Sequence, residues 1–409
     1  MNILLINKFY YLSGGAERYV FDWEQLLREH GHDVRVFAMQ HPRNRPCAQE
    51  RYFVDHVEFR PDLSITSKAR AALHSVWSRQ ARRNIRALLR NEGRPDVVHL
   101  HSFSYQLTPS ILGPIRDAGI PVVQTCHEYS PICANQRLYN QRTHAICEAC
   151  LHHGPLAPLW TRCLKGSFAA SATACAASLA DRFLAHSRNR IARFITPSRF
   201  MKTMLERGGI PPDRIAAIPH FIAAEAIQSS NQPGDYLLFF GRLVEQKGIW
   251  TFLNAARQCA DIPCKILGGG PLENEVRRRV ARHGLSHVEV LGHKEGEELW
   301  TLVRGSRAVV VPSEWYEPFG LVILEAMATG RAVVVSDLAG PAELVAPDQN
   351  GFRFPPGDSD SLAHIMTRLW RNPDRAVTMG QSGREKVLSE FRPDDHYQRV
   401  MKQFEDVIT

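Results

Sequence analysis

Two successive series of short β-branched runs, each run followed by a longer segment of mixed polarity, constrain this 409-residue chain more than any other feature. The first series predicts strands over about 2–7, 33–38, 97–101, 121–124 and 194–197. The second begins at 236 and predicts further strands over 264–268, 288–291, 308–311 and 332–336. Runs such as AVVV at 308–311 lack the alternation of a half-exposed strand, so they read as buried on both faces. Helical segments between them are the mark of parallel strand–helix–strand units. The series are separated by AEAIQSSNQPGD, which has no convincing periodicity. The expectation is an α/β protein of two doubly wound domains, residues 1–222 and 236–390, joined by a linker over 223–235. A last helix over 391–409 can cross back to the first domain. The length agrees, being more than one typical core needs.

Composition excludes several classes. Hydrophobic content of 44% and charged content of 22% are ordinary for a globular protein, so wholesale disorder is excluded. The apolar run near the N-terminus is shorter than that of a signal peptide. No stretch approaches the roughly 18 apolar residues of a membrane span, the nearest being FAASATACAASLA at 168–180. A cytoplasmic location is expected, with contact to the inner face of the membrane left open.

Charge is unevenly spread. Residues 1–220 hold 29 Lys or Arg against 17 Asp or Glu, a balance of +12, whereas residues 221–409 hold 21 against 25. The excess concentrates at 67–90, where Leu73, Val76, Trp77, Ile85, Leu88 and Leu89 trace a helical stripe beneath seven cations. The stripe is expected to pack onto the sheet, leaving a basic face that can touch anionic lipid. A nucleic-acid-binding module would also account for the charge. It lacks any recognisable DNA or RNA motif here and leaves the segments described next unexplained.

Chemistry is concentrated in two places. PSEWYEPFGLVILE, residues 312–325, follows a buried strand and carries Glu317 and Glu325. A helix is expected from about Pro318, which would aim the amides of Phe319, Gly320 and Leu321 out of its N-terminus, a position favouring phosphate. Two helical turns would separate the glutamates by about 12 Å, too far for a glycosidase pair, so they read as gripping different parts of one long ligand. The second place is YLLFFGRLVEQKG, residues 236–248, a strand running into a loop with Arg242 and Lys247. Cations at the C-terminal end of a strand in an open α/β sheet lie where such sheets bind ligands, and these two could neutralise a departing diphosphate without a metal.

FGRLVEQKG, GGGPL at 268–272, the two glutamates eight residues apart, AGPAELV at 339–345 and GGAER at 14–18 together resemble the retaining family 4 glycosyltransferases. The resemblance runs in order over nearly the whole chain. It implies the GT-B architecture, two facing Rossmann-like domains with a cleft between them. It further implies a nucleotide-sugar donor, a UDP-sugar more than a GDP-sugar, and a saccharide or lipid-linked saccharide acceptor in surface polysaccharide or glycolipid biosynthesis. Arg242 and Lys247 would bind the donor diphosphate, Glu325 the ribose, and Glu317 with the Phe319 and Gly320 amides the transferred sugar. Gly14 and Gly15 would approach the diphosphate from the other domain. His127, in QTCHEYS, matches the family's strand-end histidine beside the reacting sugar, and equally reads as a hydrogen-bonded structural residue. The family uses neither a catalytic metal nor a protein nucleophile on the facing domain, the donor phosphate accepting the acceptor's proton. A nucleotide-sugar epimerase or hydrolase of the same architecture is the competing enzyme reading.

Six of the nine cysteines lie between 126 and 175, a span that reads as an insertion in the first domain, and Cys133, Cys147, Cys150 and Cys163 are spaced C-x13-C-x2-C-x12-C. That pattern fits either four thiolates around a structural zinc or reduced, unliganded thiols, with His144, His152 and His153 as substitute ligands. Asp358, Ser359 and Asp360 spell a metal-binding acidic pair used by other glycosyltransferases. Their place before the apolar-periodic LAHIMTRLW favours a helix cap instead.

Overall fold

The computed structural model describes residues 1–57 and 64–408. It divides into two compact units: one holds residues 1–143, 147–219 and the segment from His396 onward, the other residues 144–146 and His220–Asp395. Each is built on a six-stranded, wholly parallel sheet.

In the first unit the strands are β1 (Asn2–Ile6), β2 (Asp33–Phe37), β3 (Val97–Leu100), β4 (Val122–Thr125), β5 (Arg193–Thr196) and β6 (Ile215–Ala217), in spatial order β2-β1-β3-β4-β5-β6. In the second they are β7 (Leu237–Phe240), β8 (Cys264–Leu267), β9 (Val288–Gly292), β10 (Ala308–Val311), β11 (Ala332–Ser336) and β12 (Gly351–Phe354), in order β9-β8-β7-β10-β11-β12. In each sheet the order reverses beside the first strand of the series, between β1 and β3 and between β7 and β10. Crevices at the C-terminal ends of strands flanking such a reversal are where open α/β sheets take ligands.

The β-branched runs do what their lack of alternation implies. In β10 and β11, Val310 and Val334 face one core layer with Ile249, Phe252 and Met366, while Val309, Val311, Val333 and Val335 face another with Ile323, Leu324 and Met327. Both faces are dry, as a parallel sheet covered by helices requires. Two strands escaped the sequence reading. β6 is only three residues long, and β12 opens on Gly351 and carries Arg353.

The single helix expected over 67–90 is two, Ile65–Val76 and Arg79–Asn91. Trp77 leaves helical geometry, and Ser78 starts the second helix by accepting from the Ala81 amide at 3.1 Å. Ala81, Ile85 and Leu88 are buried and Arg82, Arg83 and Arg86 exposed, so the second helix packs its stripe and solvates its cations. The stripe does not extend into the first helix, where Leu73 is 74% exposed. The segment over 223–235 lies on the second unit, with the Arg331 guanidinium donating to the carbonyls of Gln232 and Ser230. Asp358 caps the helix Ser359–Arg371 by accepting from the amides of Asp360 and Ser361. No helix among the described residues is long and apolar enough to cross a membrane.

Candidate active site

Four loops of the second unit leave the C-terminal ends of β7, β8, β10 and β11 and close on one another through their backbones. The amide of Gly241 donates to Leu267 O at 3.1 Å and that of Leu243 to Gly269 O at 2.9 Å, which joins the FGRL loop to the GGGPL loop. Glycine is needed at that seam: Gly268 has φ +141°, and a Cβ there would overlap the Gly241 carbonyl. Further along, the chain makes one 3₁₀ turn at Glu245–Lys247 and then a left-handed residue, Gly248, before the helix Ile249–Gln258. The turn faces the loop after β10, because Gln246 O accepts from the Glu314 amide at 2.9 Å.

The loop after β10 supplies the acid. Glu317 is 6% exposed, and its two oxygens are divided between the ammonium of Lys247, which contacts Oε1, and the hydroxyl of Ser313, which donates to Oε2. A carboxylate this buried needs such partners, since an unpaired charge in the interior is costly. Lys247 also lies 5.9 Å from the Trp315 ring centroid. The indole Nε1 of Trp315 is buried without a hydrogen-bond partner among the described residues. Arg242 is exposed and in no ion pair among them. The two cations predicted to act together are thus in different states, one held by Glu317 and one open to solvent.

The helix that follows begins at Leu321, not at Pro318. Gly320 is its N-cap, with φ +103°, so the chain reverses through a left-handed residue that a side chain would strain. Phe319 and Gly320 therefore lie before the helix, and helical rise does not set the separation of Glu317 from Glu325. Glu325 is half-buried within Leu321–Ala328. The AGPAE segment braces this loop from behind. Gly340 donates to Glu317 O at 3.1 Å, and a Cβ on Gly340 would overlap Pro318 and Phe319. It is presented by Ala339 at φ +54°, a left-handed alanine of the kind worth about 1–3 kcal/mol of strain and found where the surroundings dictate the backbone.

In the first unit, Gly14 precedes the helix Gly15–Glu29 in extended conformation, φ 178°, and a Cβ would sit in ordinary contact, so local geometry does not itself demand glycine. His127 follows the end of β4. Its Nε2 lies 3.1 Å from His101 Nδ1, and the Tyr19 ring centroid is 5.1 Å from its own. Burial, with Lys8 nearby, pushes its imidazole down to about 3, so it is neutral near pH 7 and serves as a hydrogen-bonding group. His101, absent from the sequence expectations, was legible: in VVHLHS the period of two puts it, one residue past the end of β3, on the same side as His99.

Of the four spaced cysteines, Cys133 and Cys150 are hydrogen-bonded to each other. That contact, with the amides of Leu138, Asn135 and Arg137, holds the Cys133 thiol below its ordinary range against its burial. Burial raises Cys147 and Cys163, and the nearby Cys133 charge adds to it. Among the described residues no three His, Cys, Asp or Glu side chains form a group that could hold a metal ion, so zinc would have to draw further sulfurs inward.

The family model described as Glycosyltransferase Family 4 matches residues 13–226, and the model for Glycosyl transferases group 1 matches residues 223–386. An uncharacterized glycosyltransferase of Methanocaldococcus jannaschii, MJ1178, is 26% identical over 71% of this chain and 78% of its own length. The O-antigen chain mannosyltransferase C of Escherichia coli is 31% identical over 44% of this chain, and the match spans about half, 52%, of that relative. Among solved structures, Anabaena Alr3699/HepE in complex with UDP superposes with a TM-score of 0.69 at 18% identity, covering 99% of this chain and 100% of that one. That likeness shows the fold, the GT-B arrangement of two parallel six-stranded sheets.

Proposed function

Because this chain belongs to Glycosyltransferase Family 4, we propose that it moves a sugar from a UDP-sugar donor, with retained anomeric configuration and without a catalytic metal, to a saccharide or lipid-linked saccharide during polysaccharide assembly on the cytoplasmic side of the membrane. One observation carries the reading. The loops after β7, β8, β10 and β11 meet beside the strand-order reversal and bring the Arg242 loop, Lys247, Glu317 and the Gly320 turn to one rim. UDP is favoured over GDP by the likeness to a protein solved with UDP.

Arg242 and Lys247 donate to the diphosphate as charge accumulates on it, Arg242 from solvent and Lys247 from its place against Glu317. Glu317, with the amides of Phe319 and Gly320, holds hydroxyls of the transferred sugar, and Glu325 accepts from the ribose. The bond from the anomeric carbon to the phosphate oxygen breaks, the acceptor oxygen bonds to the same face, and its proton passes to the leaving diphosphate. His127, neutral, hydrogen-bonds at the sugar and takes no proton. Gly14 and Gly15 are assigned to the diphosphate by their motif alone. The four-cysteine segment shapes acceptor entry, with or without zinc. Incubating donor with and without an acceptor panel tests the reading: a glycoside formed only with acceptor supports it, whereas free sugar or an epimerised donor as the sole product replaces it with a hydrolase or an epimerase.

A further inference from the structure

Ten large hydrophobic side chains stand exposed among the described residues, and six of them lie on one set of helices in the first unit: Leu73, Leu156, Trp160, Phe168, Phe183 and Leu184. Leu73 is on Ile65–Val76, which packs against Phe168–Leu179. Trp160 is on Pro158–Thr161, packed on the same helix, and Phe183 and Leu184 lie on the π-helical continuation Ala180–Ala185. Phe168 opens the helix Phe168–Leu179 and Phe183 lies near the end of its π-helical continuation, so exposed aromatics stand at both ends of the segment. Isolated exposed apolar residues need no explanation, but a group of six with three aromatics does.

Charge says what covers it. Residues 64–91 contain no Asp or Glu, and residues 149–190 contain one, Asp181, which is half-buried and accepts from Ser187. Lys68, Arg70 and Arg182 are exposed on the same helices, and Arg162 and Lys165 are exposed in the connection between Pro158–Thr161 and Phe168–Leu179. The cations stand beside the rings, Arg162 6.0 Å from the Phe168 centroid and Arg182 5.9 Å from that of Phe183. A second copy of this chain would bring like charges together. We infer that this face rests on an anionic lipid bilayer, its aromatics entering the headgroup layer and its cations meeting lipid phosphates. This helix set, and not the basic helix Arg79–Asn91, is the membrane contact, because the apolar stripe of that helix is already packed. The inference is independent of which sugar the enzyme moves.

The test is co-sedimentation of the full chain, at low salt, with vesicles of phosphatidylcholine alone and with added phosphatidylglycerol. Wild type is expected to bind the phosphatidylglycerol vesicles. The Trp160→Ser, Phe168→Ser, Phe183→Ser variant is expected to lose more than about tenfold in affinity at unchanged melting temperature. Replacing Arg82, Arg83 and Arg86 with Gln is expected to cost less than that. Hydrogen exchange on wild type, which needs no variant, is expected to show vesicle protection within 156–184. No binding by wild type, equal binding by the aromatic variant, protection elsewhere, or recruitment lost through Arg82, Arg83 and Arg86 alone would each overturn the inference.

Discussion

Lys247 and Glu317, seventy residues apart in sequence, are joined by an ion pair in which the ammonium contacts one carboxylate oxygen and Ser313 holds the other. The pair couples the stability of the donor-side rim to its proposed chemistry. Glu317 is 6% exposed, so removing its cation strands a charge that water reaches poorly. Arg242 is exposed, so removing it strands nothing.

The two cation variants should therefore part company. Lys247→Ala is expected to lose about 3–5 kcal/mol of unfolding free energy, the usual cost of breaking a buried pair from one side. Arg242→Ala is expected to stay within about 0.5 kcal/mol of wild type. Urea titrations of both decide the matter. Equal stabilities would mean that the ion pair is not maintained in solution.

Glu317 and Glu325 are expected to divide donor recognition. Glu325→Gln should weaken both the intact donor and free UDP. Glu317→Gln should act on the intact donor and on turnover while leaving UDP nearly unchanged. An amide keeps the shape of a carboxylate but turns an acceptor-only group into a mixed donor and acceptor. Calorimetry showing the same loss of UDP affinity in both variants would remove the division.

His396 gives the fold a pH dependence of known sign. Its Nδ1 lies 2.7 Å from Pro219 O, which can only accept, so Nδ1 carries the proton and Nε2 accepts from the Tyr19 hydroxyl at 2.9 Å. Burial pushes the ring down to about 3 from an ordinary 6.5. A depressed folded-state value contributes stability that is fully present above pH 6.5 and is lost as pH falls toward 3, because the unfolded chain takes up a proton the folded chain refuses. His396→Gln should lower stability near pH 7. It should also flatten the slope between pH 6.5 and 3 by up to about 1.4 kcal/mol per pH unit. Denaturant midpoints across that window are the check, and an unchanged slope would contradict the assignment.

Retention and metal independence are expected to hold together. NMR of the first product should show the anomeric configuration of the donor. Activity should survive chelation provided circular dichroism shows the chain still folded, since zinc bound near Cys133 would be structural. Inversion would reject the mechanism. Activity restored only by magnesium or manganese in folded, chelated protein would reject metal independence.

Sequence was informative where chemistry is local. Buried strands announced themselves as runs like AVVV. Asp358 as a cap followed from its position before an amphipathic helix. What depended on distant contacts was illegible. Nothing in EQKG and SEWYE shows that Lys247 and Glu317 pair, and Pro318, acceptable in a first helical turn, gave no sign that a left-handed Gly320 would delay the helix to Leu321. The basic run over 67–90 kept helical spacing through Trp77 and Ser78, where a serine cap, held by Thr108, breaks it. Exposure of Trp160, Phe168 and Phe183 likewise had no local signal, since apolar residues read as core until the structure shows what covers them.

The most direct test of the donor-site assignment is calorimetric titration of UDP into wild type and Arg242→Ala, with melting temperatures alongside. The account predicts saturable binding by wild type and at least a tenfold weaker affinity in the variant, about 1.4 kcal/mol, at unchanged melting temperature. Equal UDP affinity in the two folded proteins would contradict it.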